Sequence, residues 1–348
     1  MEFFAEYGLF LAKAITFILT VAITLILVLG LLSKQKGKKG ELELIDLSKQ
    51  LKNTKKSIEE QLLTPHQLKE RHKVEKKQTK AKNKEQKKAA KEGQSDDELA
   101  QLYVVDFKGS IDAKEVASLR EEITAILSVA KEQDEVFVRL ESGGGMVHGY
   151  GLAASQLQRI KDKNIPLTIS VDKVAASGGY MMACIADKII SAPFAIIGSI
   201  GVIAQIPNFN RLLKKHDIEF EQLTAGEYKR TLTMFGENSD EGREKFKQEL
   251  QETHDLFKNF VTEHRNQIDI DKVATGEHWY GLQAIERDLV DQISTSDDYL
   301  LSQLENRHIM LVKYTKHKKL ADKFTHAASM AIENSFFKLL QLNFNRLF

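Results

Sequence analysis

Ser177 and Lys229 lie 52 residues apart, each in a setting that suits one half of a nucleophile–base pair. Ser177 sits in Ala176-Ser177-Gly178-Gly179-Tyr180, a glycine turn that enters an apolar run. A serine hydroxyl is a weak nucleophile until a base removes its proton. A tight turn at a helix start exposes the Oγ, and Gly178 lets the backbone turn closely behind it. Lys229, in Thr224-Ala-Gly-Glu-Tyr-Lys-Arg230, can act as a base only as a neutral amine, which calls for a desolvated or dipole-lined setting. A second glycine turn, Ser142-Gly143-Gly144-Gly145, ends a predicted strand upstream. Amides at Gly178, Gly144 and Gly145 are candidates to face a developing oxyanion. The combination is equipment for acyl transfer and predicts a serine hydrolase.

Other constellations compete. His148 follows the Gly145 turn and could serve as base in a Ser177–His148–Asp172 triad. Gly149-Tyr-Gly151-Leu-Ala-Ala154 loosely matches a dinucleotide fingerprint, with Asp172 about twenty residues on. That fingerprint needs its glycines directly after a strand, and here the strand ends near Glu141. His254, His264 and His278 lack metal-site spacing, so neither metal nor cofactor is expected.

The elements that must position these residues follow from periodicity. Tyr103–Phe107, Val136–Leu140, Leu167–Val171 and Lys188–Ser191 read as strands. Between and after them come predicted helices over 114–131, 146–161 and following Ser177, and a long charged helix over 237–267. Strands alternating with helices imply βαβ units and a mostly parallel sheet, an α/β domain placed over 101–300. Met181–Ile206 is apolar enough to rival a membrane span, but Asp187, Lys188, Pro193, Gly198 and Gly201 interrupt it and favour core. The one cysteine, Cys184, lies in that run and reads as a small buried residue.

Outside this domain the texture changes. Ala14–Ser33 runs twenty residues without a charge, enough for a helix to cross a ~30 Å hydrocarbon core. Residues 1–33 therefore read as an uncleaved anchor contacting lipid through 14–33. No Ala-x-Ala site precedes Ser33-Lys34, which argues against a signal peptide. Residues 34–100 form a charged linker, helical or disordered, with Lys69–Lys91 almost free of large aliphatic side chains. Residues 301–348 form an extension whose amphipathic Phe336–Phe344 suits a partner subunit or a membrane interface equally well. A net charge of +1 over 348 residues gives no nucleic-acid signature. The lysines after the span (Lys34, Lys36, Lys38, Lys39) place the bulk of the chain in the cytoplasm by the positive-inside rule.

The segment from about 102 to 295 resembles the signal peptide peptidase A family of membrane serine proteases, and most of the chain resembles its shorter members. The carrying motifs are Leu140-Glu-Ser-Gly-Gly-Gly-Met-Val-His-Gly-Tyr-Gly151, Val174-Ala-Ala-Ser-Gly-Gly-Tyr-Met-Met-Ala183, Gly198-Ser-Ile-Gly-Val202 and Thr224–Arg230. The resemblance implies a Ser–Lys dyad: Ser177 as nucleophile, Lys229 as general base, and Ser199 orienting the lysine amine. It implies the spiral of ββα units shared with Clp protease and crotonases, and a homo-oligomer in which neighbouring subunits complete each dyad. It implies hydrophobic peptide substrates, such as signal-peptide remnants or unfolded membrane-proximal segments. It also places the catalytic domain on the periplasmic side of the inner membrane, against the lysine asymmetry. Where the family usually has Ser-Pro-Gly-Gly, this chain has Ser142-Gly143-Gly144-Gly145, which frees the loop and adds one N–H. The rival functions are a non-catalytic membrane scaffold that binds apolar segments and a crotonase-like acyl-CoA enzyme.

Overall fold

The computed structural model describes residues 7–11, 13–18, 20–21, 40–91 and 99–316. The chain divides into two compact units, one of Met1–Glu41 with Thr315–Phe348, the other Leu42–Tyr314. In the first, the described residues between 7 and 21 are helical. Most of the expected span Ala14–Ser33 and all of Phe336–Phe344 lie outside the described residues. Among the described residues no helix is long and apolar enough to cross a membrane.

The second unit is built on a seven-stranded sheet. In chain order its strands are β1 (Glu41–Asp46), β2 (Gln101–Lys108), β3 (Glu135–Glu141), β4 (Leu167–Val171), β6 (Lys188–Ser191), β9 (Gln292–Ile293) and β10 (His308–Thr315), arranged β1-β10-β2-β3-β4-β6-β9. Every pairing from β10 to β9 is parallel. All five residues of β4 are buried, as expected for a parallel strand covered on both faces. Helix α3 (Val116–Leu127) buries Val116, Leu119, Ile123 and Ile126, a stripe at three- and four-residue spacing. Helix α4 (Val147–Lys161) does the same with Tyr150, Ala153, Ala154, Leu157 and Ile160, and carries Arg159 and Lys161 in its last turn, favourable to the helix dipole. A smaller sheet, β5-β7-β8, joins β5 (Val174–Ala176), β7 (Ile196–Gly198) and β8 (His278–Tyr280).

Several expectations shift. β1 and β10 belong to the main sheet, so the sheet-bearing unit is wider than 101–300. Residues 34–100 are not wholly a linker, and residues 301–348 do not begin as a free extension. Ser48, at the start of α1 (Leu47–Leu62), is buried and accepts the Ile309 N–H at 2.9 Å. Helix α2 (Pro65–Lys91) then folds back, with Arg71 paired to Glu59 and His72 Nε2 3.1 Å from Glu60 Oε1. Met181–Ile206 is not one helix: it holds the second half of α5 (Gly178–Ala183), then β6 and β7, with Cys184 fully buried between. Burial of that order contributes roughly 1.5–3 kcal/mol for each large aliphatic side chain, which accounts for the run's apolarity without a membrane. The Gly149–Ala154 fingerprint lies within α4 rather than at a strand–helix turn, so it has no cradle for a pyrophosphate.

Candidate active site

Ser177 stands between β5 and α5, at φ 52° and ψ −119°. A positive φ costs a non-glycine residue on the order of 1–3 kcal/mol and persists only where the surroundings impose it. Here they do. The Ser177 N–H donates to Gly198 O at 2.8 Å, and its carbonyl accepts from Met181 N at 3.0 Å. Immediately after it, a Cβ at Gly178 would fall 2.4 Å from Cγ of the buried Tyr150 ring. The strand–turn–helix geometry holds the serine at the mouth of α5, where its side chain reaches a cleft.

The second glycine turn is stitched to the first. Ser142 pairs with Ala175 in a parallel bridge, its N–H donating to Val174 O (2.8 Å) and its carbonyl accepting from Ala176 N (3.0 Å). Gly144, at φ 86°, lies so close to the elbow that a Cβ would meet Gly178 N at 2.7 Å and Ser177 Cβ at 2.8 Å. No other residue fits there. The Gly144 N–H donates to Ser142 Oγ at 3.1 Å, so this amide is committed to the base of its own loop. Among the described residues, the N–H groups of Gly178 and Gly145 have no hydrogen-bond partner.

These elements enclose a cleft of about 640 Å³. Ser177, Ser199, Gly144, Gly145 and Gly178 all line it, and its apolar wall includes Val147, Met181, Val202, Ile203 and Phe257. Ser199 also has a positive φ, 51°; its N–H donates to Glu277 O at 2.7 Å and its Oγ to Gly276 O at 3.4 Å. The motifs around Ser142, Ser177 and Ser199 thus meet in one place.

Lys229 does not line this cleft. It lies on an arm, residues 203–238, that leaves the body after β7, carries the short α6 (Asn210–Lys215) and returns at α7 (Asp240–His264). The arm is closed at its base by Asn208, whose side-chain amide donates to Thr233 O (2.9 Å) and Gly236 O (3.1 Å), and by Asn210, which donates to Phe235 O (2.8 Å). The arm exposes apolar side chains along its length: Leu223 is 93% exposed, Ile206 and Leu212 are exposed, and Phe209 and Phe220 pack beside the Phe235 ring at 6.1 and 5.7 Å between centroids while staying partly open to solvent.

The alternative triad is not assembled. Neither His148 nor Asp172 lines the cleft, and the Asp172 carboxylate accepts from Ser296 N (2.8 Å) and Ser296 Oγ (2.5 Å). Among the described residues no cluster of three or more His, Cys, Asp or Glu could hold a metal ion. Residues given no site role from sequence also reach the cleft: Thr253, Phe257 and His254, weighed only as a metal ligand, from α7, with Thr275 and Gly276. His254 Nε2 lies 3.2 Å from Ile200 O. Its place was legible in the spacing Phe246, Leu250, His254, Phe257, Val261, one stripe of a helix, where it is the single polar member.

A family model described as peptidase family S49 N-terminal matches residues 2–157, and one described as peptidase family S49 matches residues 159–309. The chain is 52% identical over 330 residues to a Haemophilus influenzae protein named "Probable protease SohB", covering 94% of each chain. It is 50% identical over 339 residues to the protein of that name from Buchnera aphidicola subsp. Acyrthosiphon pisum, covering 97% of this chain and 98% of that one. A more distant match, 26% identical over 206 residues, is "Protease 4" of Haemophilus influenzae, with 57% of this chain and 33% of the other covered.

Proposed function

Since the chain belongs to peptidase family S49 and is a peptidase, we propose that it cleaves hydrophobic peptides by a Ser177–Lys229 dyad assembled between neighbouring copies. The observation that carries this reading is the split site. The strained serine, the two free amides and an apolar wall share one cleft, while the lysine rides on an arm that exposes large apolar side chains among its charged ones. Exposed apolar surface of this kind marks an interaction site. Seating the arm on a second copy would bury it and carry Lys229 toward a neighbour's Ser177, with Ser199 positioned to hydrogen-bond the amine.

In this mechanism the neutral Lys229 amine takes the Ser177 proton as Oγ attacks the scissile carbonyl. The Gly178 and Gly145 amides hold the oxyanion, and Gly144 lets those two turns converge. The lysine ammonium then protonates the departing amine, and a water deprotonated by Lys229 releases the acyl group. Val147, Met181, Val202 and Phe257 favour an apolar side chain next to the scissile bond. The folding units follow the Clp protease/crotonase spiral, which the parallel-rich main sheet and the small second sheet support. The apolar run Ala14–Ser33 anchors the enzyme in the membrane, so that signal-peptide remnants and unfolded membrane-proximal segments are its substrates.

The test is labelling of full-length, membrane-tethered protein by a fluorophosphonate. Wild type should label, and Ser177→Ala and Lys229→Ala should not. A folded, oligomeric wild type that fails to label would overturn the hydrolase and favour a scaffold that binds apolar segments.

A further inference from the structure

Three consecutive glycines make a poor oxyanion loop unless something restrains them, because glycine has the most backbone freedom to lose on ordering. Gly143 cannot supply that restraint through its surroundings: a Cβ placed on it would meet nothing within 4 Å. The restraint comes from below. Ser142 Oγ and Tyr150 Oη are 2.5 Å apart, Tyr150 Oη is 2.8 Å from Ser110 O, and Gly144 N is 3.1 Å from Ser142 Oγ.

The direction of every proton in this chain is forced. Ser110 O is a carbonyl and can only accept, so Tyr150 spends its single proton there. The Ser142 hydroxyl must therefore donate to Tyr150, which leaves its oxygen to accept from the Gly144 N–H. The far end is anchored as well: the Ser110 N–H donates to Glu115 Oε2 at 3.0 Å, and the Ser110 hydroxyl shares its one proton between that oxygen at 2.7 Å and Asp112 Oδ1 at 2.6 Å. Those bonds hold the Glu115 carboxyl below the usual range even though burial pushes it up. The neighbouring Ile111 O accepts the Met146 N–H at 2.8 Å and lies 2.1 Å from where a Gly145 Cβ would be. Loop and platform are pressed together along their length.

Tyr150 is fully buried, and it meets both halves of the site. Its hydroxyl sits under the Gly144 loop, and its ring lies against Gly178. We infer that Tyr150 is a positioning residue for the oxyanion hole, fixing the Gly145 amide relative to the Gly178 amide through the chain Gly144 N–H, Ser142 Oγ, Tyr150 Oη, Ser110 C=O. It touches neither substrate nor reacting atoms. This inference rests on the reading of Ser177 as nucleophile, and it assigns to hydrogen bonding the loop order that a stiffer residue at position 143 would otherwise provide.

The test uses the full-length enzyme, an N-acyl-leucine p-nitrophenyl ester as substrate and the fluorophosphonate labelling rate as a second readout. Tyr150→Phe keeps the ring against Gly178 and removes only the hydroxyl. We expect kcat and the labelling rate to fall together, roughly 10- to 100-fold, below the ~10²–10³ of deleting a donor outright. KM should stay within about twofold, because the oxyanion forms only in the transition state. Ser142→Ala should do the same, and the double variant should lose no more than the worse single, since both changes cut one chain. Ser142→Ala alone decides the matter if Tyr150→Phe does not fold. Unchanged kcat, multiplicative losses in the double variant, or a loss confined to the melting temperature would each overturn the inference. Wild type that fails to label at Ser177 would instead remove the reading beneath it.

Discussion

The Ser177 cleft and the Lys229 arm are built on opposite principles. In the cleft, Ser142, Gly144, Ser177, Gly178 and Tyr150 are fixed by short hydrogen bonds and by contacts too close for any Cβ, beside a core in which Tyr150, Tyr180 and Ile169 are wholly buried. In the arm, order is concentrated near the base, in the amides of Asn208 and Asn210 and the rings of Phe209 and Phe220 beside Phe235, and the remainder presents Leu212, Leu223 and Tyr228 to solvent. A nucleophile and its oxyanion amides need placement to a fraction of an ångström, which only a packed body can give. A base delivered from another copy needs a surface that binds that copy. Under the proposed dyad, the site is divided between a packed body that holds the nucleophile and an arm that supplies the base to a second copy.

The sharpest break falls on the two reacting residues. Ser177→Ala and Lys229→Ala should each lower kcat about 10⁴-fold or more, in line with loss of a nucleophile or its base elsewhere. Both should leave thermal unfolding near wild type, because neither side chain is core. Residual peptidase activity near wild type in purified Lys229→Ala would mean that the arm carries no base.

A smaller effect separates the regions on opposite readouts. Gly144→Ala puts a Cβ within 2.8 Å of Gly178 N and Ser177 Cβ and forces alanine to φ 86°. It should cost about 1–3 kcal/mol of stability and on the order of 10²-fold in kcat, measured by denaturation and steady-state kinetics. Leu223→Glu, at a residue 93% exposed, should leave the stability of the folded body untouched. Sedimentation should show it dissociating the assembly, with activity falling in step and recovering at high protein concentration. A monomeric Leu223→Glu that is fully active would sink the divided site.

The smallest effect lies in the body, away from both regions. Glu122 on α3 is buried and accepts the Tyr314 N–H at 2.8 Å; burial raises its carboxyl to about 7 against that hydrogen bond, with Asp106 adding to the rise. Its folded value exceeds the ordinary 4.5, so its stabilising contribution is complete below that pH and is lost as pH climbs through about 7. Glu122→Gln should flatten the decline of melting temperature between those values and leave the Ser177 labelling rate unchanged.

Much of the body was legible in sequence. β2, β3, β4 and β6 announced themselves as short apolar runs between amphipathic helices, since a parallel sheet covered on both faces admits little else. β1, with the alternating Glu-Leu-Glu-Leu-Ile-Asp, hid within a charged segment, and β10 hid in an expected tail, because membership of a sheet depends on partners far away in sequence. The three-residue strands β5, β7 and β8 are too short for any period to register. At the site, the residue types at 142–145 and 177 foretold a shared cleft, whereas Ser199 entered it only through the family resemblance. What they could not tell is which amides remain free: Gly144 looks like Gly145 until Ser142 Oγ is seen to claim it. Nor could spacing reveal that Lys229 sits apart from Ser177, since a chain segment can reach the site of its own copy or a neighbour's with the same sequence.

In the proposed dyad, Ser177 of one copy works with Lys229 of another. Full-length Ser177→Ala and Lys229→Ala proteins, each inactive, should be mixed under conditions that let subunits exchange, and the mixture assayed for peptidase activity and fluorophosphonate labelling. The account predicts that activity returns, with label only on the Lys229→Ala chains, which still carry Ser177. A mixture that forms mixed assemblies yet remains silent in both assays would contradict it.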